Sequence, residues 1–159
     1  MSCDVIAFSA MLWLASSSPA PLPTAVPALS APASVAGEPL FADIVRRAGG
    51  LKLQVEAYRK ALAADPAAPA AALPGAEAFG ARIAELSALD MKGHLTLKER
   101  GAVDDLKCIL RGISVDLPEK LAAMTAARTV KDQDLALRDM VYLLNDNVEV
   151  ITAPPQPAA

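Results

Sequence analysis

From Phe41 onward the apolar residues recur at alternating spacings of three and four: Phe41, Ile44, Ala48, Leu51, Val55, Tyr58 and Leu62. On an α-helix that rhythm places them all on one stripe, whereas a strand would need every second residue. A helix with one apolar stripe must bury it against other helices, so the rhythm predicts a helical bundle rather than an isolated helix. Composition agrees. The chain is 53% hydrophobic but only 4% aromatic. Much of the apolar count is alanine, which loses no side-chain entropy in a helix.

The first helix is expected from about Pro39 and should end at Asp65-Pro66, because a residue before proline avoids the α region. Gly49-Gly50 lies inside it, and each mid-helix glycine costs about 1 kcal/mol relative to alanine, so a bend is expected there. Ala67 to Pro74 is an Ala/Pro loop. The second helix is expected from about Gly75 to Met91, with Ala76, Phe79, Ile83, Leu86 and Leu89 as its stripe and Lys92-Gly93 as its stop. The third opens with Thr96-Leu97-Lys98-Glu99, a pattern in which threonine and glutamate satisfy each other's backbone N–H groups. Its stripe is Val103, Leu106, Leu110, Ile113, Leu117, Leu121 and Met124. Asp116-Leu117-Pro118-Glu119 repeats the cap pattern inside it. Proline in a helix interior costs about 3 kcal/mol, so a break or kink near Val115 is expected. The fourth helix begins near Thr129, with Asp132 as a further cap partner, and carries Leu137, Val141, Leu144, Val148 and Ile151. Four segments with short connections predict an all-α, up-down-up-down four-helix bundle over residues 39–151, with a kinked or broken third helix.

The flanks read differently. Val5 to Ala15, VIAFSAMLWLA, is too short to span a bilayer, which takes roughly 20 residues, but suits the apolar region of a signal peptide. Residues 1–20 form this leader and 21–38 an Ala/Pro/Ser-rich flexible linker. Residues 152–159 are read as a disordered Pro-rich tail. The leader predicts export, to the periplasm or out of the cell. It carries no Lys or Arg before Val5, and the alternative is a cytoplasmic protein with a disordered N-terminal arm.

The formal net charge is −3, and the basic residues are dispersed, with Arg46-Arg47 and Arg59-Lys60 the adjacent pairs. A nucleic-acid binder gathers its cations on one face, so that class is set aside. Cys3 and Cys108 are the two cysteines. Among Leu106, Ile109 and Leu110, Cys108 reads as an inert buried thiol. His94 is the single histidine; it falls in the expected turn after Gly93 and reads as an exposed loop residue. It has no companion at metal-ligand spacing, and one histidine does not build a di-iron bundle site, so no metal or cofactor is expected. Asp104-Asp105, Asp132-x-Asp134 and Asn145-Asp146-Asn147 lack the ligand pattern of a calcium loop and read as solvated helix faces. No nucleotide loop or nucleophile–base pair is present.

Leu40, Val45 and Leu53 in the first helix, and Leu135, Met140, Leu143 and Val150 in the fourth, exceed a minimal stripe. They either widen the core or form a docking patch. The expected function is a non-enzymatic exported bundle that binds a protein partner, pairs as a homodimer, or sits in an envelope assembly. The alternative is a carrier or sensor of a small apolar ligand held between helices. A splayed second half of the third helix would open a cleft lined by Leu121, Met124 and Leu137, the expected binding site.

Overall fold

The computed structural model describes residues 34–102 and 104–153. The leader, most of the linker, the residues 154–159 of the tail, and Val103 lie outside the described residues. The chain forms four helices: α1 (Pro39–Ala61), α2 (Ala76–Glu99), α3 (Asp104–Ala126) and α4 (Val130–Thr152). Each packs on two others, α1 on α2 and α4, and α3 on α2 and α4. Cross-helix pairs fix the relative directions. Arg59 meets Asp134 and Lys52 meets Asn145, so α1 and α4 run in opposite senses. At one end of α1 Glu38 pairs with Arg100, and at the other Tyr58 packs edge-on against Phe79 with ring centroids 5.4 Å apart, so α1 and α2 do likewise. No helix among the described residues is long and apolar enough to cross a membrane.

The α1 stripe is buried along its length. Phe41, Ile44, Ala48, Leu51, Val55 and Tyr58 are all in the core, and Leu62 is half-buried. Full burial of one such larger side chain contributes about 1.5–3 kcal/mol. α1 passes through Gly49 and Gly50 without interruption. Val35 and Ala36, expected in the flexible linker, pack against the core just ahead of it.

α2 departs from expectation. It does not stop at Gly93 but continues to Glu99, so Thr96 to Glu99 close this helix instead of opening the next. The reason is packing. A Cβ on Gly93 would stand 3.2 Å from Leu110, 3.3 Å from Phe41 and 3.4 Å from Ile44, so glycine here admits three neighbouring side chains. The stop lies at Gly101, whose φ of +66° suits glycine. Its N–H donates to the Lys98 carbonyl at 3.1 Å, and that of Ala102 to the Leu97 carbonyl at 3.0 Å, which satisfies two orphan acceptors at the helix end.

α3, expected to be kinked or broken, is unbroken. It continues through Pro118 as one helix, and Asp116 caps nothing. Proline withholds a backbone hydrogen bond from the Ser114 carbonyl. Ile113, Leu117 and Met124, spaced on either side of Pro118, are all buried, and their packing outweighs the local preference for a new start.

The connection from α1 to α2 is not a free loop. It lies across the start of α4. Val130 N–H donates to the Ala68 carbonyl at 2.9 Å, Lys131 N–H to Pro66 at 3.0 Å, and Ala70 N–H to Arg128 at 3.0 Å. Thr129 Oγ1 accepts from Asp132 N–H at 3.2 Å, as the cap pattern predicts. The orphan donors of the first turn of α4 are thereby satisfied.

Candidate functional site

The three residues expected to line a cleft differ in their burial. Leu137 is fully buried, so it lines no opening. Leu121 is half-buried, with its methyl groups against the small residue Gly80 of α2. Met124 is buried and borders a shallow open depression of about 350 Å³. That depression lies between the end of α3 and the segment Ala70, Ala71, Ala72 and Leu73, with Gln133 at its edge. It is therefore a groove beside the α1–α2 connection, not a gap between α3 and α4.

The chemistry-bearing residues of the bundle are elsewhere, on the seams of α2 and α4. The buried α2 positions are Phe79, Ile83, Leu86, Asp90, Gly93 and Leu97, with Ser87 and His94 beside them. Those of α4 include Val130, Gln133, Leu137, Met140, Leu144, Asn147 and Ile151. Both series keep the three-four alternation straight through polar residues. Asn147 is thus fully buried rather than on a solvated face, because it falls on the stripe three residues after Leu144.

Asp90 and Asn147 are both wholly enclosed, and Asn147 Nδ2 donates to Asp90 Oδ2 at 2.8 Å. The remaining oxygens, Asp90 Oδ1 and Asn147 Oδ1, have no hydrogen-bond partner among the described residues. Burial pushes the Asp90 carboxyl up to about 7, and the Asn147 hydrogen bond pulls weakly the other way.

His94, one turn further along α2, is buried and not in a turn. Its Nδ1 lies 2.7 Å from the Lys107 carbonyl oxygen. A carbonyl only accepts, so Nδ1 carries the hydrogen, and the imidazole ties α2 to the start of α3. Ser87 donates to the Ile83 carbonyl and Ser114 to the Arg111 carbonyl, so both hydroxyls are spent within their own helices. Cys108 is half-buried, where a fully buried thiol was expected. No cluster of three His, Cys, Asp or Glu side chains suited to a metal ion occurs among the described residues.

The surface carries ion pairs and a few large apolar groups. Arg47 bridges Asp43 at 2.9 Å and Glu85 at 2.8 Å, Arg59 binds Asp134 at 2.7 Å, and Lys120 binds Asp139 at 3.0 Å. Such exposed pairs add little stability but fix which edges meet. Of the surplus apolar residues, Met140 and Val150 enter the core, and Leu40, Val45 and Leu143 pack at its margin. Leu53 is 69% exposed, Leu135 47%, and Tyr142 67%. Leu135 and Tyr142 are seven residues apart, hence on one outer face of α4. The Lys52–Asn145 hydrogen bond, 2.6 Å, sets Leu53 of α1 and Tyr142 of α4 at a similar level of the bundle, and Leu95 (48%) and Val115 (49%) are exposed on α2 and α3.

Asp90 and Asn147 are polar residues on an otherwise apolar stripe, the pattern that in sequence reads as a solvated face. The three-four alternation from Leu86 reaches Asp90 and from Leu144 reaches Asn147, whereas His94 lies one position off it and is hidden by the apparent stop at Gly93. Comparison of the chain with protein-family models, with curated proteins and with solved structures gives no match.

Proposed function

We propose that this chain is an up-down-up-down bundle, a reading that the cross-helix pairs of α1 support, and a non-enzymatic exported protein that binds a protein partner. The observation that carries the reading is the outer face of α4 and its α1 neighbour, where Leu53, Leu135 and Tyr142 stand in water. Large apolar side chains grouped at a surface lose free energy there until another surface covers them. Heptad spacing along α4 suits an amphipathic helix of the partner, whose apolar residues would fall against Leu135 and Tyr142 in turn. Export rests on the Val5–Ala15 run and the Pro/Ala/Ser segment after it. The reading of a carrier for a small apolar ligand gains no support from the seam, where Ile83, Leu110, Leu117, Leu137 and Leu144 are fully buried.

The test is affinity capture of the full chain from its own host, beside a Leu53→Ser/Tyr142→Ser variant. The wild type should retain a protein partner that the variant releases, while the two give the same helical circular dichroism and thermal midpoint. Light scattering identifies a second copy of the chain as that partner if both proteins differ in mass at equal concentration. Capture that is unchanged by the double substitution counts against this face, and a retained small molecule in native mass spectrometry counts against the whole reading.

A further inference from the structure

We infer that Asp90 and Asn147 form a proton-operated lock between α2 and α4: with a proton on Oδ1, Asp90 closes a two-way hydrogen-bonded pair with the side-chain amide of Asn147, and loss of that proton weakens the bundle at this level.

The argument starts from a count of donors. A carboxylate has none, and an amide oxygen is an acceptor. Asn147 Nδ2 donates to Asp90 Oδ2 at 2.8 Å, which leaves an acceptor on each partner, Asp90 Oδ1 and Asn147 Oδ1. Both residues have no exposed surface, so bulk water does not reach these atoms. Two orphaned acceptors in an apolar core are costly, and a carboxylate charge there is costlier still. One hydrogen on Asp90 Oδ1 removes the charge and supplies the missing donor for Asn147 Oδ1 in the same step. The proton comes from solvent and returns to it, so nothing else in the pair has to change.

No cation takes over that role. Charged groups on the helices packed together here have other partners. On α1, Arg47 binds Asp43 and Glu85, and Lys52 binds Asn145. On α3, Lys107 donates to the Ala102 carbonyl. On α4, Glu149 accepts from Asn145. On α2 itself, His94 is held by the Lys107 carbonyl. Burial and the Asn147 hydrogen bond are the two influences on the Asp90 carboxyl, and burial is the larger.

The sign of the pH dependence follows. Unfolded, Asp90 titrates near its ordinary value of 3.8; folded, it titrates at about 7. Between those values the folded chain holds a proton that the unfolded chain has lost. Stability from this group is therefore complete below about pH 4 and is lost as pH rises through about 7.

The test compares urea denaturation of the full chain and of Asp90→Asn at steps from mildly acidic to mildly alkaline pH. An asparagine at this position donates to Asn147 Oδ1 as the protonated acid does, but does not ionise. The wild-type folding constant should fall by up to about tenfold per pH unit across the window, and that fall should be missing in Asp90→Asn. Every other ionisable side chain is common to both proteins, so the difference between the two curves isolates Asp90. The carboxyl carbon of Asp90 gives an independent readout by nuclear magnetic resonance, needing no variant: its titration should be centred near neutrality. Parallel curves for the two proteins would overturn the lock. So would a carboxyl that titrates near its ordinary value, the result expected if a buried water bridges the two oxygens instead.

Discussion

Gln133 and Asn147 occupy equivalent positions of α4, two heptads apart, and both are buried. Their surroundings make them opposites. Gln133 faces a backbone. Its Oε1 accepts from Ala71 N–H and its Nε2 donates to the Ala71 carbonyl, each at 2.9 Å. Asn147 faces a carboxylate, and only one of its two oxygen–nitrogen ends finds a complement. A peptide group offers a donor and an acceptor that are fixed at every pH. A carboxyl group offers the donor only while protonated. The same kind of residue at the same register position therefore makes a permanent clasp at one end of the bundle and a proton-dependent junction at the other. A buried polar position is thus defined by what it meets, and neither its residue type nor its burial says which role it has.

The comparison is sharpened first by measuring the apolar layer beside the junction. Leu110 is fully buried and lies against Gly93, three residues beyond Asp90. Leu110→Ala should lower stability by about 2–5 kcal/mol in urea denaturation, since the surrounding helices are too rigid to fill the space. Lys98→Ala, at the exposed end of α2, should stay within about 0.5 kcal/mol of wild type. Comparable losses at these two positions would mean that the seam is not where the packing places it.

The clasp is broken by Gln133→Ala. This removes both hydrogen bonds to Ala71 and leaves that peptide without a partner, at a cost of about 1–3 kcal/mol. The loss should be the same at acidic and neutral pH, in contrast to the Asp90–Asn147 pair. Hydrogen exchange locates it: the Ala71 amide should lose protection while amides in the middle of α4 keep theirs. A Gln133→Ala protein whose stability gained a new pH dependence would erase the distinction between the two sites.

These two sites also show what the sequence carries. The α1 stripe was legible residue by residue, because every seam position from Phe41 to Tyr58 is apolar and no cap signal interrupts it. The other three helices are legible as apolar three-four runs, though their seams carry polar residues or cap-like signals. The α2 end was not. Gly93, beside a lysine, has the form of a helix stop, and only the approach of Leu110, Phe41 and Ile44 shows that it is a packing glycine. At Pro118 the local signal for a break is outweighed by long-range burial of Leu117 and Met124, and the helix is unbroken. The Gln133 clasp had no signal in sequence, because its partner is a backbone group 62 residues away. The Asp90–Asn147 pair had one, the uninterrupted heptad register of both helices.

The smallest expected effect concerns the start of α4, where the clasp and the helix cap share the work. Thr129 Oγ1 accepts from Asp132 N–H and donates to Asp132 Oδ2 at 2.7 Å. Removal of a capping hydroxyl usually costs about 0.5–2 kcal/mol. In this bundle the next donors, Val130 N–H and Lys131 N–H, are already held by the carbonyls of Ala68 and Pro66. Thr129→Ala therefore exposes one donor rather than a whole first turn, and Asp132 still sits where a negative charge favours the helix start. The expected cost is at the low end of that range, about 0.5–1 kcal/mol. Combining Thr129→Ala with Gln133→Ala should cost more than the two changes added separately, because each leaves the other as the remaining hold on the connection. Strict additivity would show that the cap and the clasp act on α4 independently, and that residues 66–71 are held by their own backbone hydrogen bonds alone.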